Sequence, residues 1–233
     1  MKIIRQYILF VVACLSIWSC KKDNYDAPSS TLSGKLVYKG EAIGLEYDRV
    51  PFQLYQYGFG KTGSINGTFT PEGTYTSLLF NGDYKLVIPI GQGPFKNKII
   101  SAGKPDSMSV TINGNQTFDI EVEPYYMIRT PQINVASGKV NGTFKVEKII
   151  TDVTAKDIER VQLFINKTNF VSGADNVAQT TINGAAITDP NNISMSVTIP
   201  SISPAQNYVF ARIGLKVKDV EDMIFSPVVK LTY

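Results

Sequence analysis

Four groups of residues have side chains whose type and spacing could do chemistry. Tyr55, Tyr57 and Phe59 fall at every second position of one segment. In a strand such residues share a face. A row of rings there offers apolar surfaces for the C–H faces of sugar rings, and the tyrosine hydroxyls reach toward sugar hydroxyls. Asp119, Glu121 and Glu123 alternate in the same way, and a pair of carboxylates is what glycoside hydrolysis needs. Gly58-Phe59-Gly60-Lys61-Thr62-Gly63 has the glycine spacing of a dinucleotide site, and Gly60-Lys61-Thr62 matches the end of a phosphate-binding loop. Asp219, Glu221 and Asp222 offer hard oxygen ligands of the kind calcium takes.

Each group has a plainer reading. The three carboxylates alternate with Phe118, Ile120 and Val122, which describes the solvated face of a half-buried strand. The glycine run leads into Ser64-Ile65-Asn66-Gly67, a strand-and-turn sequence. A phosphate site needs a helix N-terminus there, so a hairpin loop is expected. The acidic trio lacks the glycine and terminal glutamate of a specific calcium loop and reads as a hairpin turn. The aromatic row lies opposite Val50, Phe52 and Leu54 in a segment that Pro51 marks as an edge strand. Glycan stacking therefore competes with packing under a loop or against a neighbouring domain. Tyr125 and Tyr126 read as domain packing. Tyr55, Tyr57 and Phe59 stand as the candidate glycan-binding residues, with Gln56 and Lys61 close by. No catalytic residue, metal ligand or cofactor is assigned.

Composition narrows the classes further. The chain of 233 residues has no histidine, which removes Ser-His-Asp and Cys-His catalysis and histidine metal sites. Its cysteines are Cys14 and Cys20, and its one tryptophan is Trp18. All three lie in the first 20 residues, so the remaining body has no disulfide and no thiol nucleophile. The formal charge of +3 falls to about +1 once Lys2 and Arg5 leave with a leader, and no long basic stretch remains. Nucleic acid is not an expected partner.

That leader has a basic head, Met1-Lys2-Ile3-Ile4-Arg5, and an apolar run from Tyr7 to Trp18. The run is shorter than the roughly 20 residues a membrane span needs, so residues 1–19 read as a signal peptide. Ser19 and Cys20 at its end resemble the lipobox of bacterial lipoproteins. The resemblance implies that Cys20 is acylated and becomes the N-terminus, with the protein anchored to the outer membrane. Val11-Val12-Ala13-Cys14 is a second candidate, but cleavage there leaves a very short apolar core. The charged stretch from Lys21 to Asp26 resembles a surface-export signal of Bacteroidetes lipoproteins. It continues into a Pro/Ser-rich tether that ends at residue 31.

Beyond the tether the pattern has period two, as strands with one buried face require. Val50, Phe52 and Leu54 alternate with polar neighbours, and so do Tyr84, Leu86, Ile88 and Ile90. The longest run is Val209, Ala211, Ile213, Leu215 and Val217. Asn-Gly pairs at 66–67, 81–82, 113–114, 141–142 and 183–184 predict hairpin turns. Asp152 to Arg160 predicts one short helix, and residues 173–193 predict a long polar loop. The body of about 200 residues suits two domains, and Glu123-Pro124-Tyr125 marks the division between 32–123 and 124–233. The fold class read from this pattern is all-β, with two tandem β-sandwiches.

Gly67-Thr68-Phe69, Gly73-Thr74-Tyr75 and Gly82-Asp83-Tyr84-Lys85-Leu86 resemble the carboxypeptidase-regulatory, transthyretin-like sandwich. Tyr208 to Gly214 with Phe225 to Val229 resembles the second domain of a two-domain Bacteroidetes lipoprotein family of unknown function, the domain of unknown function 3823 type. The resemblance implies an immunoglobulin-like second sandwich. It also implies a non-catalytic accessory of an outer-membrane glycan-uptake system. Its expected partners are the membrane through the lipid anchor, polysaccharide, and an outer-membrane transporter or partner lipoprotein. A carbohydrate-binding module and a protein-docking module are the two readings the sequence leaves open.

Overall fold

The structure is a computed structural model that describes residues 26–58 and 63–233. Cys20 and Phe59 lie outside the described residues.

The first sandwich contains β1 (Ser30–Tyr38), β2 (Glu41–Ala42), β3 (Pro51–Gln56), β4 (Ile65–Thr68), β5 (Thr74–Leu79), β6 (Gly82–Val87), β7 (Ile99–Ser101), β8 (Lys104–Pro105), β9 (Met108–Ile112), β10 (Gln116–Thr117) and β11 (Ile120–Glu121). One sheet forms around β1, which pairs antiparallel with β5 and β2 and parallel with β10 and β11. The facing sheet has the order β4-β3-β6-β9, and β7 and β8 make a separate ribbon. The second sandwich contains β12 (Tyr126–Ala136), β13 (Lys139–Lys148), β14 (Ile158–Asn166), β15 (Ala178–Asn183), β16 (Ile193–Thr198), β17 (Tyr208–Val217), β18 (Ile224–Phe225) and β19 (Val229–Thr232). Its sheets run β12-β13-β16 and β15-β14-β17, with β18 and β19 both on the free side of β17.

The alternation in the sequence is the alternation of burial. Val50, Phe52, Leu54, Tyr84 and Leu86 are buried from one sandwich, and Val161, Leu163, Ile165 and the whole odd-numbered set of β17 from the other. The sheets divide cleanly between the sandwiches, whereas the core does not. Buried apolar residues run in one contiguous cluster from Leu32 through Ile43, Leu45, Tyr126 and Met127 to Ile224. The linking segment is clipped down as well: Lys96 N–H donates to the Glu123 carbonyl and Tyr125 N–H to the Pro94 carbonyl.

Five local expectations change. Pro51 does not mark an edge, because β3 lies between β4 and β6; Pro51 opens the strand and is paired only with Thr68 of β4, so its missing donor leaves no gap toward β6. No Asn-Gly pair closes a hairpin. Those at 66–67 and 141–142 lie inside β4 and β13, and 183–184 ends β15. Those at 81–82 and 113–114 carry the chain from one sheet to the other, with Asn81 Oδ1 accepting from Ser30 and from the Gly114 N–H. The two-residue turns at Lys39-Gly40 and Ser137-Gly138 instead close hairpins, and all four residues have positive φ, as a tight primed turn demands. Residues 152–157 form a turn instead of a helix. The Asp152 carboxylate accepts from the Thr154 N–H at 2.8 Å and so offers the backbone an alternative to helical bonds. The expected loop at 173–193 holds β15, whose Ala178–Asn183 pair along β14. Ser30 and Thr31 belong to β1, so the tether is shorter than its composition implied.

Candidate functional site

The outward face of the β4-β3-β6-β9 sheet follows from its register. Phe52 and Leu54 point into the core, so Gln53 and Tyr55 point out. Gln53 stands between Asn66 and Val87, Tyr55 stands beside Lys85, and Lys85 stands beside Ser109. Tyr57 follows at the strand end, where its N–H donates to the Asp83 carbonyl. Tyr57 is 64% exposed, and Tyr55 is half-buried. The structure therefore brings Tyr55 and Tyr57 onto one outward face, with polar side chains as cross-strand neighbours.

Those neighbours are hydrogen-bonded to one another. The Tyr55 hydroxyl donates to Gln53 Oε1 at 2.9 Å, Lys85 Nζ donates to Ser109 Oγ, and Thr111 Oγ1 donates to Asp83 Oδ1 at 2.7 Å. Such solvent-facing bonds contribute little net energy, because water replaces either partner readily. A ligand hydroxyl can replace it in the same way. The face offers flat rings and exchangeable donors and acceptors, which is the chemistry of a sugar chain lying along a sheet.

The other candidates separate. Asp119 Oδ1 accepts from the Lys35 N–H at 2.8 Å and Glu121 Oε1 from the Lys39 N–H at 2.6 Å. Asp119 sits at the break between β10 and β11, where β1 lacks a backbone partner, and its carboxylate supplies one. Asp222 is buried, and its Oδ2 accepts from the Gly93 N–H at 2.7 Å. Among the described residues, no three histidine, cysteine or acidic side chains stand together as metal ligands. Gly58 follows β3 in a turn and Ser64 precedes the antiparallel β4, so the glycine run joins two strands; its residues 59–62 lie outside the described residues. Tyr126 is buried at the start of β12, where its hydroxyl donates to the Lys156 carbonyl at 2.8 Å.

Sequence reasoning missed the polar centre of the domain junction. Arg212 lies on the outward side of β17, yet it is only 2% exposed because the first sandwich covers it. Its Nε donates to the Ser226 carbonyl at 2.7 Å, and its two terminal nitrogens donate to the carbonyls of Leu45 and Pro71, each at 2.8 Å. Its guanidinium lies 4.4 Å from the centre of the Phe225 ring. Burial lowers its pKa to about 10, against the upward pull of Glu72 and Glu46, so it stays charged at neutral pH. Gly44 closes the same contact, accepting from the Phe225 N–H at 3.0 Å. A β-carbon on Gly44 would lie 2.3 Å from the Phe225 carbonyl oxygen. Beside the junction is a cleft of about 500 Å³, lined by Glu41, Glu72, Met127, Pro131, Arg212 and Val228 among others. The one sequence signal for this junction was a charged residue midway along the longest apolar run, and surface strands carry such residues too.

Comparison with known proteins gives this architecture a family. The profile described as the N-terminal domain of a protein of unknown function, DUF3823, matches residues 30–123, and that described as the domain of unknown function DUF3823_C matches residues 126–230. A crystal structure of a DUF3823 family protein from Parabacteroides merdae is 31% identical, covers 89% of this chain and 100% of its own, and superposes with a TM-score of 0.76. One from Bacteroides ovatus is 27% identical, covers 88% and 99%, and has a TM-score of 0.78. A candidate carbohydrate-binding protein from Bacteroides uniformis shares the fold at 17% identity, with 89% and 100% covered and a TM-score of 0.67. No curated protein matches the sequence. With both halves matched in order and the whole two-sandwich arrangement shared, this chain belongs to the DUF3823 family.

Proposed function

We propose that the protein is a non-catalytic, polysaccharide-binding lipoprotein of the outer membrane, anchored through Cys20, exposed at the cell surface and serving a glycan-uptake system. The observation that carries the binding reading is the outward sheet face on which Tyr55 and Tyr57 stand among exchangeable polar neighbours. The Bacteroides uniformis protein of the same fold, a candidate carbohydrate-binding protein, supports the same reading. The leader and the small residue before Cys20 support the anchor. Tyr55→Ala with Tyr57→Ala is expected to weaken polysaccharide binding by about 1–3 kcal/mol per stacking ring, by analogy with base stacking on aromatic side chains. Affinity electrophoresis in polysaccharide gels measures it, and undiminished binding by a folded double variant rejects this face. Cys20→Ala is expected to abolish fatty-acid labelling, and persistent labelling moves the anchor to Cys14.

A second reading, docking to a transporter or partner lipoprotein, is favoured by the β7–β8 ribbon, which holds Ile99 and Ile100 in solvent at 57% and 61% exposure. Apolar surface that gathers in solvent is what a protein partner covers. Ile99→Ser with Ile100→Ser is expected to leave glycan binding unchanged, and loss of co-purifying transporter with that variant separates the two readings.

A further inference from the structure

We infer that the protein has a second polysaccharide subsite, built jointly by the two sandwiches around Tyr47 and Phe170. This inference rests on the polysaccharide reading above and extends it to a site the sequence did not single out. Tyr47 comes from the loop before β3, and Phe170 from the loop after β14. Their rings meet edge to face, with centroids 5.0 Å apart and planes at 70°. Contact between domains ordinarily hides such rings, but Tyr47 remains 57% exposed and Phe170 44%. The pair thus presents ring surface to solvent while each ring fixes the other.

The junction holds both rings in place. Two residues before Tyr47, the Leu45 carbonyl accepts from Arg212. Next to Phe170, Val171 is buried in a cluster with Phe164, Met223 and Phe225, the ring on which Arg212 lies. Asn166 Nδ2 also donates to the Phe170 carbonyl at 2.5 Å. Rings held rigidly lose little freedom when a ligand settles on them, which favours binding.

The polar residues that neighbour Tyr47 and Phe170 in the chain differ from those on the first face. Asp48, Arg49 and Asn169 are exposed, and among the described residues their side chains have no hydrogen-bond or ion-pair partner. A carboxylate, a guanidinium fork and an amide are the groups that bind neighbouring hydroxyls, the first two with charge-assisted bonds. Rings for the C–H faces and unengaged polar groups for the hydroxyls are the two things a sugar chain needs. An apolar protein partner would use the rings and leave the charges without partners, at a desolvation cost.

The test uses the whole protein in native gels cast with starch, xylan, mannan, mixed-linkage β-glucan, pectin or chondroitin sulfate. Tyr47→Ala with Phe170→Ala is expected to lower affinity for the retarding polymer roughly five- to hundredfold. Asp48→Asn with Asn169→Ala removes no packed group and is expected to lower it at least about threefold, with the melting temperature unchanged. Binding by both variants at wild-type strength, while the Tyr55→Ala, Tyr57→Ala variant fails, overturns the second subsite and leaves the first standing. If the unmodified protein is retarded by none of these polymers, the polysaccharide reading falls and this inference falls with it.

Discussion

At the domain junction, Arg212 is enclosed, and its guanidinium donates to three carbonyls, two of them from the other sandwich. On the outer face of β3, Tyr57 stands in solvent, and polar side chains pair only with their immediate neighbours. Both regions combine rings with polar groups, yet water has access to one and not the other. A buried carbonyl that loses its donor cannot recover it from solvent, so the junction's bonds fix one relative placement of the sandwiches. The outer face loses almost nothing when a bond is exchanged, so it can accept a ligand. The junction bears on stability and orientation, and the face bears on recognition.

Removing Arg212 should break that contrast most severely. Arg212→Ala leaves the Ser226 and Leu45 carbonyls without this donor, takes one of two donors from the Pro71 carbonyl, which keeps the Leu45 N–H, and takes the cation off Phe225. The expected loss is on the order of 3–5 kcal/mol, a large part of the total stability of a typical domain. Because the core is continuous across the boundary, the wild type should unfold in one transition and the variant should show the sandwiches uncoupling. Urea unfolding followed by circular dichroism measures both. A loss below about 1 kcal/mol would show that the junction is held by apolar contact alone.

Gly44→Ala tests the same joint from the other side. Its new β-carbon meets a backbone oxygen, which cannot rotate away, so an overpacking cost of about 1–3 kcal/mol is expected. The same substitution at Gly40, whose β-carbon would meet nothing, carries only the cost of its positive φ. Equal destabilisation of the two variants would mean that close approach at Gly44 is not what matters.

Asp222 gives the junction a pH dependence with a definite sign. Burial raises its pKa, and the Gly93 N–H opposes that shift. A carboxyl whose folded-state pKa exceeds its unfolded value of about 3.9 binds more protons when folded across the window between the two. Its contribution to stability is therefore greatest below that window and falls as pH rises through it. Asp222→Asn keeps an acceptor for Gly93 and removes the charge. Between pH 4 and pH 7, the stability of the wild type relative to this variant should decline as pH rises, and a rise would overturn the assignment.

These differences also explain what was legible in the sequence. Strands were legible because burial on one face writes itself as alternation, and β17 shows it over its ten residues, Tyr208 to Val217. The outward position of Tyr55 was legible for the same reason, because it alternates with Phe52 and Leu54 in β3, and Tyr57 follows just beyond the strand end. The junction was not, because Arg212 meets Leu45 and Pro71 from sequence positions more than 140 residues away. Nothing local distinguishes an arginine that another domain will cover from one that water will cover. Turns misled in a related way. Asn-Gly marks a tolerance for positive φ, but Lys39-Gly40 and Ser137-Gly138 adopt it because the strands on either side pair. Gly67 and Gly142 serve packing instead: a β-carbon on Gly67 would lie 2.3 Å from the Phe52 ring.

The smallest expected effect is the most discriminating one. Tyr57→Ala removes a ring that is mostly in solvent, at a strand end whose backbone bond to Asp83 does not need the side chain. Stability should change by no more than about 0.5 kcal/mol, as for surface substitutions away from packed features. Polysaccharide affinity should nevertheless fall, because the ring surface is what the sugar covers. Thermal unfolding and gel affinity on the same preparation measure the two together. A clear loss of stability would mean that the Tyr57 ring is a packed group, and the face would then resemble the junction more than it resembles a binding surface. Unchanged stability with unchanged affinity would leave the fold as described and move recognition away from β3.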